Sequence, residues 1–335
     1  MNKKTIKIIS LCGILSFGLY ATSLGAAGQS TVNLVHIDRL DKSLAHGTYT
    51  VENARGFNNA PAYPNQDSPS IYCMLGRAVV LMCDGHGTYG DLVSYKVTSL
   101  LPLEVLKAKD AATGFKIGCA KLQQMFAKAD YAQQSGSTCV GAQISGNKLT
   151  IANVGDSRLI VIRPNNAGTS GSVVFSTIDH KPTNKNEYAR IKAAKGAIIA
   201  GYVAGNNGNG LAVTRSLGDA EMTTAGVIAE PELFEFTLQS GDIIFLATDG
   251  YWDVFSNSET VSKAIKQLGL THAQFGSKHL QAAGATFNSP QEVINAVWNK
   301  LYCTSFARWS AECARVQGSR DDITVTVIRY SESQG

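Results

Sequence analysis

Ala78-Val79-Val80-Leu81-Met82-Cys83-Asp84-Gly85-His86-Gly87 is the stretch that decides the reading of this chain. Five apolar residues from Ala78 to Met82 form a strand-length run with no alternation, the mark of a strand covered on both faces. Upstream, Ile71 to Met74 forms a second apolar run, and Gly76-Arg77 supplies a turn between the two. The run ends at an acid followed by two glycines around a histidine. A strand anchored in a core can hold such an acid rigidly at a cleft, and glycine lets the backbone turn sharply behind it.

Working outward, the pattern repeats. Asp249 follows Ile243-Ile244-Phe245-Leu246-Ala247-Thr248 and precedes Gly250; Asp156 follows Ile151-Ala152-Asn153-Val154-Gly155; Asp321 stands just before Ile323-Thr324-Val325-Thr326-Val327. Each acid marks the end of an apolar strand. Carboxylate oxygens suit hard cations such as Mg²⁺ and Mn²⁺, and carboxylates brought close together repel unless a cation sits among them. Any one Asp-Gly alone is equally a turn.

Further strands are expected over Thr138 to Ile144 and Lys148 to Asn153, joined by a Gly146-Asn147 hairpin turn, then over Ser157 to Ile162, Val173 to Ile178, Asp242 to Ala247 and Ile323 to Arg329. Helical spacing appears from Asp91 to Lys107, where Leu92, Val93, Val97, Leu100 and Leu101 fall on one face, from Phe115 to Tyr131, and from Asn186 to Lys195. Gly201 to Gly210 reads as a Gly/Asn-rich loop, and Leu268 to Arg315 as a helical or irregular addition before the last strand. Strand runs joined by tight turns argue for antiparallel sheets with helices outside them, in one domain.

The whole chain sets limits on function. It has 335 residues, 44% hydrophobic, and a net charge of +4, a mild balance with no concentrated basic face, so no nucleic-acid partner is expected. Lys3, Lys4 and Lys7, then apolar Ile8 to Leu19, then small residues through Gly28 have the order of a secretory signal peptide, assigned to residues 1–27. Export to a periplasmic or secreted location follows, with an uncleaved N-terminal membrane anchor as the alternative; the membrane is a partner only in that second case. Of seven cysteines, Cys12 falls in the signal segment. Cys73, Cys83 and Cys139 lie in strand runs as small buried hydrophobes, and Cys303 with Cys313 is the candidate disulfide. No C-x-x-C spacing suggests zinc.

Read together, several segments resemble, in order, the motif series of the protein phosphatase 2C family of metal-dependent Ser/Thr phosphatases. They are Asn65-Gln66-Asp67-Ser68, Asp84-Gly85-His86-Gly87, Gly136-Ser137-Thr138, Ala152 to Arg158, Asp179-His180-Lys181-Pro182 with Glu187 to Ile191, Leu211 to Asp219, Ile228 to Glu232, Ala247 to Asp253 and Gly318 to Thr324. The resemblance implies an α+β four-layer sandwich, two antiparallel β-sheets flanked by α-helices, over a catalytic domain of residues 31–332. It implies a monomer that hydrolyses phosphoserine and phosphothreonine in a phosphorylated protein substrate, by a metal-activated hydroxide at two Mg or Mn ions, without a phosphoenzyme. The roles it carries over place Asp84 between the two ions, the Gly85 carbonyl on one, and Asp249 and Asp321 on the other. Asp67 holds a metal-bound water, and Asp156 with Asp253 holds a weaker third ion. His86 supplies the proton to the leaving alkoxide, and Arg55 binds the substrate phosphate through a guanidinium fork. The alternative is a catalytically weak or inactive module that keeps the fold for binding or regulation.

Three positions depart from the family pattern. Arg55 stands twelve positions before Asp67, farther than in many members. Gln66 stands where many carry Glu, and Asp322 where Asn is common.

Overall fold

The computed structural model describes residues 44–51, 64–74, 76–205, 208–274 and 290–331; side chains of 44–51, 270–274 and 290–301 are left aside. The expectations for residues 1–27 and for Arg55 lie outside the described residues. Among the described residues the strands run in chain order: β1 (Leu44–Val51), β2 (Asp67–Met74), β3 (Arg77–His86), β4 (Gly136–Ser137), β5 (Cys139–Ser145), β6 (Lys148–Val154), β7 (Arg158–Pro164), β8 (Gly171–Ser176), β9 (Ala197–Ile199), β10 (Tyr202–Ala204), β11 (Gly210–Leu211), β12 (Leu217–Gly218), β13 (Glu232–Thr237), β14 (Ile243–Ala247) and β15 (Ile323–Tyr330). The helices are α1 (Gly90–Lys107), α2 (Ala111–Phe126), α3 (Lys185–Ala193), α4 (Asp249–Trp252), α5 (Asn257–Gln274) and α6 (Pro290–Val316).

Two antiparallel sheets form the centre. One has the order β1-β15-β14-β7-β8; the other runs β12-β4-β3-β5-β6-β13, with β2 also paired to β3. The period-2 geometry of a strand sends alternate side chains to opposite faces, and three apolar layers result. Val79, Leu81 and Cys83 of β3 pack under α1 and α2 with Val97, Leu101 and Phe115. Ala78, Val80 and Met82 of the same strand meet Leu159, Val161, Ile244 and Leu246 between the two sheets. The other faces of β7, β14 and β15, with Ile160, Phe245 and Val327, pack against Ala264, Phe306 and Ala311 of α5 and α6. This is the four-layer arrangement expected from the sequence. Each fully buried Val, Leu or Ile stabilises by about 1.5–3 kcal/mol, so both faces of β3 and β14 help hold the acids at their ends.

Local rules set the boundaries. Asp110 caps α2, its carboxylate accepting from the Thr113 N–H at 2.8 Å. Gly146, at φ 57°, makes the β5–β6 turn. Gly201 to Gly210 is not wholly loop: β10 and β11 join β9 in a small antiparallel sheet beside the cleft. For the Leu268 to Arg315 region the helical alternative holds: its described residues belong to α5 and α6, which supply the fourth layer. Cys303 and Cys313 do not pair. Both lie on α6, where ten residues span about 15 Å, twice the reach of a disulfide, and both are free thiols.

Candidate metal and phosphoester site

Asp84, Asp156, Asp249 and Asp321 line one cleft of about 730 Å³ together with His86 and Asp219. The four strand-end acids thus converge from both sheets. Behind them, the β2–β3 register sets Asp67 directly opposite Asp84, and like charges in that position destabilise a sheet. Asp84 and Asp249 approach one another from the ends of strands in the two sheets and line the same cleft. Burial, then Asp249, Asp67 and Asp321, hold Asp84 well above the usual carboxylate range. Burial, then Asp156 and Asp321, push Asp249 up to about 7. Asp67 is raised by burial and next by Asp322, against which the Thr324 and Thr248 hydrogen bonds lower it. The Thr248 hydroxyl donates to Asp67 Oδ2 at 3.0 Å.

Close backbone packing sets these acids in place. A Cβ on Gly85 would fall 2.1 Å from the Gly90 carbonyl oxygen, and one on Gly250 2.1 Å from that of Asp322. The Gly85 N–H donates to the Gln66 carbonyl at 3.0 Å. Gln66 and Asp322, the departures from the family pattern, take structural positions. The Gln66 amide donates to the Gly87 carbonyl at 2.7 Å, and its backbone N–H donates to Asp322 Oδ2 at 2.8 Å. Asp322 is therefore buried and ties the start of β2 to the start of β15.

His86 meets Asp219, the last residue of the Leu211 to Asp219 segment. Its Nε2 lies 2.6 Å from Asp219 Oδ2. Asp219 is buried and holds the left-handed conformation at φ 43°, a strained setting for a residue with a Cβ. Its N–H donates to the Ser135 carbonyl at 3.0 Å, and a Cβ on Gly136 would fall 2.1 Å from its carboxylate. Burial lowers the His86 pKa, but Asp219, then Asp156 and Asp249, outweigh it and raise the ring above its ordinary value. A histidine whose protonated form is favoured beside the cleft suits proton donation.

Asp156 and Asp253 come together around a side chain. Lys181 Nζ lies 3.1 Å from Asp156 and 3.3 Å from Asp253. Burial lowers the Lys181 pKa, yet the two carboxylates outweigh it and hold the ammonium charged. The backbone that delivers Lys181 is fixed on both sides. Arg158 forms a two-pronged pair with Asp179 at 2.9 and 2.6 Å and lies over the Trp252 ring at 4.8 Å. The buried His180 accepts from the Gly155 N–H through Nδ1 at 3.1 Å, so its other nitrogen carries the proton and faces Glu232 at 3.3 Å. Burial and then Arg215 lower His180 to about 3, so it stays neutral and acts as a strut.

The family model for protein phosphatase 2C matches residues 77–298. The chain belongs to the protein phosphatase 2C family. It is 33% identical to "Probable protein phosphatase 2C 72" of Arabidopsis thaliana over 252 residues, 67% of this chain and 76% of that one. It is also 33% identical to "Probable protein phosphatase 2C 64" of Oryza sativa over 217 residues, 55% of this chain and about half, 51%, of that relative. A crystal structure of a phosphatase from Toxoplasma gondii superposes with a TM-score of 0.67 at 16% identity, covering 87% of this chain and 94% of that one, a likeness of fold.

The inner carboxylates of this protein phosphatase 2C member fit hard cations. Asp67 Oδ1 and Asp249 Oδ1 are buried with no hydrogen-bond partner among the described residues, a costly state for a carboxylate that bears charge. Among the described residues no three acidic, histidine or cysteine side chains close into a ready-made ligand shell; the acids ring the cleft rather than meet at a point. The outer pair, Asp156 with Asp253, is engaged by Lys181 and does not fit a third ion as it stands.

Proposed function

We propose that the chain hydrolyses phosphoserine and phosphothreonine monoesters of proteins at this cleft. Asp84, the Gly85 carbonyl, Asp249 and Asp321 would hold two Mg²⁺ or Mn²⁺ ions, with Asp67 supporting them from behind. Bound there, the cations would lower the pKa of water to near neutrality and offset charge on the phosphoryl oxygens. The chain's own part is positional and protonic. The two sheets fix Asp84 and Asp249 across the gap, the Gly85 and Gly250 contacts fix their backbones, and Asp219 favours the protonated ring of His86, which faces the cleft and would serve the leaving alkoxide. Arg55 is proposed as the phosphate-binding guanidinium, and residues 1–27 as an export signal that N-terminal sequencing of the mature protein would test.

One observation supports the reading: Asp84, Asp156, Asp249 and Asp321 line one open cleft in a family member, and Asp249 at its wall and Asp67 behind it each keep a buried oxygen without a hydrogen-bond partner among the described residues. The test is release of phosphate from a phosphoserine peptide and from para-nitrophenyl phosphate with Mn²⁺. Asp249→Asn should abolish both. His86→Ala should slow the peptide, whose alkoxide needs a proton, far more than the nitrophenyl ester, whose leaving group does not. Folded protein inactive on both substrates in Mn²⁺ would refute the proposal and leave the binding-module alternative.

A further inference from the structure

Cys83 and Cys139 read from the sequence as unrelated buried thiols, yet the sheet brings them face to face. β3 and β5 pair Met82 with Val140, and β3 and β4 pair Gly85 with Ser137. The same register between those points sets Asp84 opposite Thr138 and Cys83 opposite Cys139. The Thr138 N–H donates to the Asp84 carbonyl at 2.8 Å, and the Asp84 N–H returns a bond to the Thr138 hydroxyl at 3.1 Å, so Asp84 and Thr138 face one another at a hydrogen-bonding position. Cys83 and Cys139 are then the neighbouring pair without ladder bonds, where opposed Cα atoms approach to about 4.5 Å and side chains are closest. A disulfide spans Cα separations from about 4.4 to 6.8 Å. Both side chains are buried in the same apolar layer beneath α1 and α2, and both are free thiols.

We propose that Cys83 and Cys139 form a cross-strand disulfide when the chain meets a small disulfide oxidant such as oxidised glutathione. One cysteine thiolate attacks the oxidant, forms a mixed disulfide and releases one glutathione thiolate. The second cysteine then attacks the mixed bond, closes the protein disulfide and releases the other. Two protein thiols lose their protons and two electrons; two glutathione thiols gain them. The layer above shields both sulfurs, so the exchange proceeds during folding or local opening rather than on the closed molecule. The bond would tie the strand junction one residue behind Asp84 and Thr138, with all of α1 and α2 in the loop it closes. That loop raises thermal stability by restricting the unfolded chain.

The sequence suits a direct test, because trypsin places each sulfur in its own peptide: Cys83 in Ala78–Lys96, Cys139 in Ala129–Lys148 and Cys119 in Ile117–Lys121. The full chain is refolded with oxidised and reduced glutathione, quenched in acid, alkylated under denaturing conditions and mapped by mass spectrometry. Ala78–Lys96 linked to Ala129–Lys148 is expected, with Cys73, Cys119, Cys303 and Cys313 alkylated, and with a melting temperature that falls on adding dithiothreitol. Cys139→Ser should lose the linked peptide and the dithiothreitol effect, while Cys119→Ser keeps both. Full alkylation of Cys83 and Cys139 in the oxidised protein would overturn the proposal, as would either one linked instead to Cys119. The outcome is independent of phosphatase activity.

Discussion

Asp249→Asn should stabilise the metal-free protein while removing its response to metal. Burial, then Asp156 and Asp321, push Asp249 up to about 7 in the fold, against about 3.9 in an unfolded chain. Between those values the native state keeps a proton that the unfolded state has lost, so stability falls as pH rises. Over about three pH units at 1.36 kcal/mol each, the fall reaches about 4 kcal/mol by pH 7. Water in the cleft screens part of the repulsion from Asp156 and Asp321, which brings the expected effect to about 2–4 kcal/mol. Asparagine keeps the shape and drops the charge. Urea melts in EDTA should therefore show the wild type losing stability from pH 5 to pH 8, and the variant losing less and ending above it. With millimolar Mn²⁺ the order should reverse, because a ligand at a hundred times its Kd stabilises by about 2.7 kcal/mol and the variant lacks a donor for it. A variant less stable than wild type in EDTA at pH 8, or one that gains as much from Mn²⁺, would refute the charge argument.

Other consequences lie outside the cleft. Asp242 is fully buried, takes both prongs of Arg163 at 2.7 Å and accepts from the Gln239 N–H; Asp242→Ala should cost about 3–5 kcal/mol in urea melts with the Mn²⁺-dependent rate unchanged at low temperature. Glu187 is held down to about 2 by Arg215, Arg190 and Thr214 against the opposing effect of burial. Its stabilising contribution is full above about pH 4.5 and lost as pH falls toward 2, so Glu187→Gln should flatten the acid limb of a stability–pH curve by about 3 kcal/mol. Lys181→Met leaves Asp156 and Asp253 without their shared cation; the melting temperature in EDTA should drop by the equivalent of about 1–3 kcal/mol and recover in Mn²⁺.

What the sequence made legible follows from range. Asp84 and Asp249 could be found because each closes an apolar run, and the strand that anchors the acid lies beside it in the chain. Asp219 could not, because its meeting with His86 depends on the β12–β4–β3 pairing and on a left-handed backbone that no neighbouring residue announces. Lys181 was quoted within a motif, but its reach to Asp156 depends on the Arg158–Asp179 and His180–Gly155 ties. The helix α6 was blurred for another reason. Tyr302, Cys303, Phe306, Ala307, Ser310, Ala311 and Ala314 are buried at helical spacing, but four of the seven are alanine or serine, too small to signal an apolar face. The same helical geometry removes the Cys303–Cys313 bridge that spacing alone had suggested.

The charges of the cleft divide in a way that locates the chemistry. At its outer edge Asp156 and Asp253 are met by the Lys181 ammonium, carried on a backbone pinned from both sides. Deeper in, burial raises Asp67, Asp84 and Asp249, helped by Asp322 at Asp67, by Asp249 and Asp67 at Asp84, and by Asp156 and Asp321 at Asp249, and two of their oxygens lack any hydrogen bond among the described residues. A fold shaped for stability alone would place apolar residues or a paired base there. Leaving the inner acids uncompensated while compensating the outer ones makes the inner cluster the place where added divalent charge stabilises most. On the proposed function, metal binding and fold stability would be coupled through these carboxylates, and the melts with and without Mn²⁺ read that coupling before any substrate is added.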